Sequence, residues 1–299
     1  MNRRDFVGGV AAAATLIGAG TAWGKQHKGE RHKGERHKID RVGLQLYTVR
    51  GDMKKDFEGT IAKVAQAGYK EVEFAGYFDH TPQQVRAILD KNGLAAPSSH
   101  VAYNVLGDQW PGFLEAAKVV GHKYVVCPWI DDAIRAKPEG WKQAADTFNR
   151  AAEVAKKAGI QFAYHNHNFE FIKIDGKYAY DILLESTDAA LVQMEMDLCW
   201  MTIAGQDPLK YFAKYPGRFP LVHVKDVSKV PASADGSPVA IAEVTPTMVA
   251  VGSGVIDFKR IFAQSSLAGI QHYFVEDDEP KSPFDEIRAS CQYLSKVSF

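Results

Sequence analysis

From residue 41 onward, short apolar runs alternate with longer stretches in which apolar residues recur every three or four positions. The short runs have the length of β-strands, and the longer stretches have the period of amphipathic helices. This unit occurs eight times, and each unit is long enough to connect two parallel strands through a helix. The predicted strands are 41–49, 69–75, 95–102, 124–128, 161–166, 191–197, 219–224 and 271–276.

The helix boundaries carry recognisable signals. Thr81 stands before Pro82, and Gly93 follows the same stretch, which is the usual order of a cap, a first turn and a stop. Asp175 and Gly176 predict a small hairpin after the fifth strand. The Pro-, Ser- and Ala-rich segment 228–251 predicts a loop near the C-terminal ends of the strands. The predicted helices are 56–67, 82–92, 111–120, 138–158, 180–186, 208–215, 257–264 and 283–296.

Doubly wound open sheets alternate in the same way. The count of eight and the polar residues after most strands favour a closed (β/α)8 TIM barrel over residues 41–299. In such a barrel the C-terminal strand ends converge on one mouth, so residues far apart in sequence meet there.

Four predicted strands in the second half of the chain end in side chains that bind divalent metals: His165, Asp197, His223 and Glu276. Two imidazoles and two carboxylates suit one divalent ion, which we expect to be Mn²⁺, Mg²⁺, Co²⁺ or Zn²⁺. The alternative is that some of these side chains form buried His–Asp hydrogen bonds. We favour His165 over His167 as the ligand, and that choice stays open.

Other polar residues near the same ends are candidates for proton transfer. His167 and Glu170 follow the fifth strand, and Glu276 ends the eighth. Lys225 lies two residues after His223 and therefore points the same way. It either stabilises an oxyanion or pairs with a carboxylate.

Four further residues are candidates for binding substrate. Glu73 and His100 are near the ends of earlier strands, where they either contact substrate or form structural hydrogen bonds. Trp129 and Trp200 are expected to form apolar walls for a sugar ring, or to pack in the core.

The first 24 residues have the pattern of an export signal rather than of a fold. Arg3, Arg4 and Phe6 match the twin-arginine signal, and a weakly apolar run follows that is too short and Gly-rich to span a membrane. Residues 25–40 are rich in His and Lys and predict a disordered linker. We therefore expect the mature protein to be periplasmic or otherwise outside the cytoplasm.

The overall composition excludes some partners. Apolar residues make up 46% of the 299 residues and charged residues 24%, which is typical of a globular domain. Residues 1–40 carry an excess of basic residues, whereas the predicted barrel is mildly acidic and has no basic stripe, so nucleic acid is not an expected partner. The three widely spaced cysteines predict no disulfide framework. Oligomeric state is left open.

At the strand ends the chain resembles the xylose isomerase-like barrel superfamily, over about residues 41–299. The superfamily includes sugar isomerases and epimerases, hydroxypyruvate isomerase, inosose dehydratase and endonuclease IV. The resemblance rests on YHNHNFEF, MEMDLCW, HVKD, VGSGVIDF and VED. The metal set usual in this superfamily is Glu, Asp, His and Glu on strands five to eight, and its last three members match Asp197, His223 and Glu276.

The departures from that set are informative. His165 stands where the fifth-strand Glu is expected, which weakens a simple epimerase mechanism with two metal-bound carboxylates. Trp200 and Cys127 stand where endonuclease IV has histidines, and no Asp-x-His follows HVKD. We therefore do not expect a trinuclear zinc site or phosphodiester cleavage.

These features predict a metal-dependent enzyme that transfers protons next to the carbonyl of a keto-sugar, as an isomerase or epimerase. One alternative is a lyase or hydratase that acts on 3-keto-glycosides by elimination or hydration. A second is a sugar-binding barrel without catalysis. Export disfavours phosphorylated substrates, and no Gly-rich phosphate cradle is evident.

Overall fold

Eight parallel strands close into a barrel in the computed structural model, which describes residues 37–231 and 237–299. Each strand pairs with the next in sequence, and the last pairs with the first. The predicted (β/α)8 TIM barrel is confirmed. The barrel strands are β1 (Val42–Gln45), β2 (Glu71–Phe74), β3 (Ala95–His100), β4 (Tyr124–Cys127), β5 (Gln161–His165), β6 (Val192–Asp197), β7 (Leu221–Val224) and β8 (His272–Val275).

Helices cover the outside of the barrel and bury their apolar faces against it. The long helix Gly140–Lys157, for example, turns Trp141, Phe148 and a row of alanines inward. The predicted hairpin is confirmed by the antiparallel pair Lys173–Ile174 and Lys177–Tyr178. The α-helices are Arg50–Met53, Phe57–Gln66, Pro82–Asn92, Trp110–Val120, Asp132–Arg135, Gly140–Lys157, Ala179–Ser186, Leu198–Ile203, Pro208–Lys214, Ile241–Val244, Phe258–Phe262, Ser265–Ala268 and Pro283–Leu294.

The interior of the barrel is apolar in one layer and polar in the next. Val126, Ala163, Leu221 and Phe274 form a buried cluster separate from the main core. Gly43 leaves room for it, because a Cβ there would lie 2.4 Å from the Phe274 ring. Side chains alternate between the two faces of a strand, so residues two positions further along also point inward. Those residues include His165, His223 and Glu276, which are buried.

The described chain starts slightly before the predicted barrel. Lys38 forms an antiparallel bridge with Ser298, and Ile39 is buried, so the last residues of the predicted linker pack on the barrel. The predicted signal, 1–24, and most of the linker lie outside the described residues, and export stays a prediction. Among the described residues, no helix has the length and apolarity to cross a membrane.

The segment after β7 returns to the barrel at a fixed point. Asp226–Val227 pairs with Met248–Val249. The Asp226 carboxylate accepts hydrogen bonds from the backbone N–H groups of Gly252 and Gly254, each at 2.9 Å. Gly254 permits this approach, since a Cβ there would lie 2.2 Å from the Asp226 carboxylate. Strand pairing and the Asp226 hydrogen bonds therefore hold both ends of the insertion in place.

Thr81 begins the helix Pro82–Asn92 with a complete capping box. Its hydroxyl accepts the Gln84 N–H, and the Gln84 side chain accepts the Thr81 N–H at 2.8 Å. We expect Thr81→Ala to lower the free energy of unfolding by about 1 kcal/mol. Urea denaturation measures the loss. Thr81→Ser keeps the acceptor and is expected to stay close to wild type, so equal losses for the two variants would contradict the capping role.

Candidate active site

The C-terminal ends of the strands surround a cavity of about 610 Å³. Ile241 and Thr245 line it, which places the insertion after β7 at the mouth, as predicted. Most of the residues predicted to bind or transform substrate also line it, and so does the predicted metal ligand His165. The substrate and catalytic candidates on the wall are His100, Trp129, His167, Trp200, Lys225 and Glu276.

Three of the four predicted metal ligands meet at the cavity. Asp197, His223 and Glu276, here called the outer cluster, offer ligand atoms that all lie within 4.8 Å of one another. Asp197 at the end of β6 pairs in register with His223 on β7, and this pairing brings the two side chains together. Asp197 Oδ1 accepts the Trp200 N–H at 2.8 Å, whereas the buried Oδ2 makes no hydrogen bond among the described residues.

Lys225 bridges the carboxylates of this region. Its Nζ lies 2.7 Å from Glu276 Oε2, 3.0 Å from Asp278 Oδ1 and 3.3 Å from Asp197 Oδ2. The side chain is almost fully buried, so the ammonium is held by these charges rather than by solvent. Of the two predicted alternatives for Lys225, the pairing with carboxylates is present, and it leaves Lys225 on the cavity wall.

A second group of ligand atoms surrounds Glu195, which lies two residues before Asp197 on β6. His100, His165, Glu195 and His223, here called the inner cluster, also lie within 4.8 Å of one another. Glu195 Oε2 is 2.9 Å from His100 Nε2, 3.2 Å from His223 Nε2 and 3.3 Å from His165 Nδ1. Glu195 was not among the predicted site residues. The available signal was the alternation in MEMD, which puts Glu195 on the same face of β6 as Asp197.

His165, the fourth predicted ligand, belongs to the inner cluster and lies beside the outer one. Its Nε2 is 3.9 Å from Asp197 Oδ2, and its Nδ1 is nearest to Glu195 and makes no hydrogen bond among the described residues. His165 on β5 and Glu195 on β6 are paired in register. Both side chains are buried.

Glu73 was predicted either to contact substrate or to form structural hydrogen bonds, and the structure shows the hydrogen bonds. Its carboxylate accepts the Gln45 amide at 2.7 Å and the Ser98 hydroxyl at 2.5 Å, and it lies 2.7 Å from His223 Nε2. Glu73 is completely buried and, in the described part of the chain, does not line the cavity. Through these contacts it orients His223.

Glu170 was predicted to take part in proton transfer, but it lies behind His167. It accepts the His167 N–H at 2.9 Å and the Tyr164 hydroxyl at 2.5 Å. Within the described part of the chain, His167 lines the cavity and Glu170 does not. Burial raises the pKa of Glu170 to about 7. Glu170 therefore positions the turn that carries His167.

Aromatic rings form the walls beside His167. The Trp129 ring stands edge-on to the His167 ring at 5.1 Å, and the Phe169 ring stacks on it at 5.2 Å. Trp200 lies 5.8 Å away on another side and is fully buried, with only part of its surface toward the cavity. The Arg135 guanidinium covers Trp129 and Phe169 from outside. These contacts hold the imidazole of His167 in one orientation.

The buried charges shift one another's pKa values. Burial opposes ionisation of His100, yet Glu73 and Glu195 raise its pKa to about 9. Burial and the neighbouring Glu73 raise the pKa of Glu195 to about 7. Burial works against the charged form of Lys225, but Asp278 and Glu276 hold its pKa well above the usual value. Burial and nearby positive groups lower the pKa of His167 well below its usual value, so His167 is neutral at pH 7.

A closed parallel barrel whose strand ends bring histidines, carboxylates and a lysine to one cavity is the architecture of a barrel enzyme. A model of the Xylose isomerase-like TIM barrel family matches residues 61–297. The chain belongs to that family.

Individual relatives narrow the chemistry. The inosose dehydratase of Lacticaseibacillus casei is 25% identical over 265 residues, which are 80% of this chain and 88% of the relative. The inosose dehydratase of Geobacillus thermodenitrificans is 25% identical over 268 residues, covering 81% and 89%. A crystal structure of a sugar phosphate isomerase/epimerase from Parabacteroides distasonis matches with a TM-score of 0.71 and 25% identity, covering 86% of this chain and 94% of that one. The relatives support an enzyme, and the dehydratases favour the predicted lyase alternative over the isomerase or epimerase.

Proposed function

We propose that this protein is a lyase that eliminates water, or another substituent β to the carbonyl, from a polyhydroxylated ketone such as a keto-sugar. The similarity to two inosose dehydratases over four-fifths of the chain supports this class of reaction. It replaces the isomerase or epimerase as the leading hypothesis.

The observation that carries the proposal is the pair of imidazoles at the end of β5. An epimerase that works with two carboxylates needs one on each face of the substrate carbon. Here His165 occupies the fifth-strand position, and His167 faces the cavity with its ring 5.0 Å from that of His165. A neutral imidazole beside the substrate suits removal of one proton followed by its delivery to a leaving oxygen.

The residues of this chain account for each bond. The imidazole of His167 takes the proton from the carbon next to the carbonyl, and that electron pair forms the new C=C bond. The bond to the β-oxygen breaks, and the imidazolium returns its proton to the departing oxygen, which leaves as water or an alcohol. Lys225 stays charged because of its raised pKa and donates a hydrogen bond to the oxygen that becomes negative.

The outer cluster fits a divalent cation. The buried Asp197 Oδ2 lacks a hydrogen-bond partner in the described chain, and an ion would satisfy such an atom. Asp197, His223 and Glu276 would hold Mn²⁺, Mg²⁺, Co²⁺ or Zn²⁺, with His165 adjacent. When bound, such an ion polarises the carbonyl as a Lewis acid. We assign Glu276 to this holding role rather than to proton transfer, because Lys225 and His223 keep its pKa low against the effect of burial.

The predicted export signal bears on the substrate. An enzyme sent outside the cytoplasm through the twin-arginine route would meet unphosphorylated sugars. We therefore propose a free or glycosidically linked ketone as substrate, with 3-keto-glycosides and cyclic keto-polyols as the first candidates.

The test is an assay of elimination with His167→Gln. Purified protein, supplied with Mn²⁺ or Co²⁺, is given an inosose, a 3-keto-glucoside and a simple ketose, and mass spectrometry follows loss of water or aglycone. We expect wild type to eliminate and His167→Gln to lower kcat by about 10²–10⁴-fold with little change in KM. His272→Gln, which changes a histidine bonded to Glu71 at the start of β8, serves as the control.

Two results would overturn the proposal. Deuterium exchange and ketose isomerisation without elimination would return the isomerase to first place. Tight sugar binding without exchange or turnover would favour the non-catalytic barrel.

A further inference from the structure

The barrel interior holds more buried negative charge than its one ammonium group balances. Five carboxylates surround the floor of the cavity, and Lys225 pairs with three of them, Asp197, Glu276 and Asp278. Glu73 and Glu195 lie against His100 and His223 instead, and such buried carboxylates need either protonated histidines or bound cations beside them. The carboxylates are Glu73, Glu195, Asp197, Glu276 and Asp278.

The ring of His223 lies between two groups of these carboxylates. Its Nδ1 lies 2.7 Å from Glu276 Oε2 in the outer cluster. Its Nε2 lies 2.7 Å from Glu73 Oε2 and 3.2 Å from Glu195 Oε2 on the inner side. The two nitrogens of one imidazole thus face two different groups of acceptors.

The inner cluster contains unpartnered atoms of its own. Among the described residues, His165 Nδ1 and Glu195 Oε1 make no hydrogen bond, although His165 is 2% exposed and Glu195 fully buried. Buried polar atoms without partners commonly mark the place of an unseen water or ion. Both side chains belong to the same ring of ligand atoms.

The spacing around Glu195 Oε2 is slightly tighter than tetrahedral coordination requires. Ligands at about 2.0–2.2 Å from a tetrahedral zinc ion lie about 3.3–3.6 Å from one another. Glu195 Oε2 is 2.9 Å from His100 Nε2, 3.2 Å from His223 Nε2 and 3.3 Å from His165 Nδ1. Only small shifts would be needed for an ion to enter between these atoms.

We propose that the inner cluster, His100, His165, Glu195 and His223, is a second cation site, with His223 forming the wall that it shares with the outer cluster. Three imidazoles and one carboxylate select a borderline ion such as Zn²⁺ or Co²⁺ rather than Mg²⁺. Glu73 adds its charge at the edge of this site, where its Oε2 is 3.2 Å from His100 Nε2.

Two divalent cations together with Lys225 would supply five positive charges beside the five carboxylates. An imidazole that binds an ion through each nitrogen has lost its ring proton, so with both sites filled His223 would be an imidazolate and the group would carry one net negative charge. The inner ion would be structural or would tune the outer site electrostatically, since solvent reaches the cavity above it and not the buried Glu195.

Metal content measured on the whole protein tests this inference without reference to activity. Metal-depleted protein is titrated with Zn²⁺ or Co²⁺, freed of excess by gel filtration and analysed by mass spectrometry. We expect two equivalents in wild type, one in Glu195→Gln, one in Asp197→Asn and none in the double variant. Glu71→Gln, which changes a buried carboxylate at the other end of β2, is the control and should keep two.

A second readout covers the case in which Glu195→Gln fails to fold. His165→Asn leaves the Glu73 pairings in place and should remove one equivalent together with the visible bands of tetrahedral Co²⁺. A wild type that holds one equivalent or none, or a Glu195→Gln protein that binds as much as wild type, would show that protons alone neutralise the inner cluster and would overturn the proposal. Neither result depends on which reaction the enzyme catalyses.

Discussion

Asp197→Asn is expected to lower kcat/KM for elimination by about 10²–10³-fold. The substitution removes a negative charge from the outer cluster, where Asp197 Oδ2 is buried without a hydrogen bond in the described chain and lies 3.3 Å from Lys225 Nζ. Loss of one preorganised electrostatic contact in a closed site costs about 2.7–4 kcal/mol of transition-state stabilisation. An Asn oxygen still accepts the Trp200 N–H that starts the helix Leu198–Ile203, so the fold should survive. Steady-state kinetics and metal analysis measure the effect.

Asp207→Asn is the matched control. Asp207 caps the helix Pro208–Lys214 in the same way, through the Leu209 N–H, but pairs with Arg260 at the surface. It should keep wild-type activity and metal content. We also expect Asp197→Ala to lose the ion of the outer cluster, and His223→Ala, whose ring belongs to both clusters, to lose bound metal altogether. Stoichiometric metal and full activity in the Asp197 and His223 variants would refute the outer cluster as the ion site.

Lys225→Met is expected to lower the free energy of unfolding of metal-free protein by about 3–5 kcal/mol. Removing one partner of a buried ion pair leaves the other charge without compensation, and here the ammonium contacts Glu276, Asp278 and Asp197. Urea denaturation at pH 7 measures the loss.

Lys214→Met provides the comparison for Lys225→Met. Lys214 pairs with Asp181, but its side chain is 52% exposed, so its loss should cost at most about 1 kcal/mol. If Lys225→Met costs no more than Lys214→Met, the Lys225 ammonium does not neutralise the carboxylates around it. Adding Mn²⁺ or Co²⁺ should restore part of the stability of Lys225→Met, because a cation in the outer cluster binds the same carboxylates.

The regular part of the fold was predictable because local signals agree with the tertiary structure. Thr81 and Gly93 bound the helix Pro82–Asn92 as predicted, and a strand occurs within each of the eight predicted ranges. The first of those ranges was too long, since Leu46–Val49 forms a 3-10 helix rather than the end of a strand. The helix Leu198–Ile203 was missed. Its residues LCWMTI are almost all buried and show no amphipathic period, so only the cap at Asp197 indicated a helix.

The site was predictable where polar residues follow a strand, and less so where they lie within one. Asp197, His223 and Glu276 stand at strand ends, and the structure brings them together. Glu195 lies inside β6, where its place in an apolar run suggested core. Its role depends on His100 and His165 from other strands, and a single strand contains no information about such partners.

The chemistry was harder to predict than the geometry. Carboxylates, imidazoles and a lysine at one mouth suit isomerisation, epimerisation and elimination alike, because all three begin with removal of a proton beside a carbonyl. What separates them is the base and the leaving group. The sequence already showed that His165 replaces the fifth-strand carboxylate. The similarity to dehydratases then favours a lyase over an epimerase as the explanation of that replacement.

Because the Asp226 carboxylate binds the backbone N–H groups of Gly252 and Gly254, the insertion 228–251 can be replaced as a unit. Because its two ends are tied to each other, swapping or lengthening the stretch between them adds little closure entropy and leaves Lys225 undisturbed. Ile241 and Thr245 reach the cavity from this stretch. Divergence there would retune which ketone is admitted while preserving the underlying chemistry, and loop grafts between homologues offer a practical route to new selectivity.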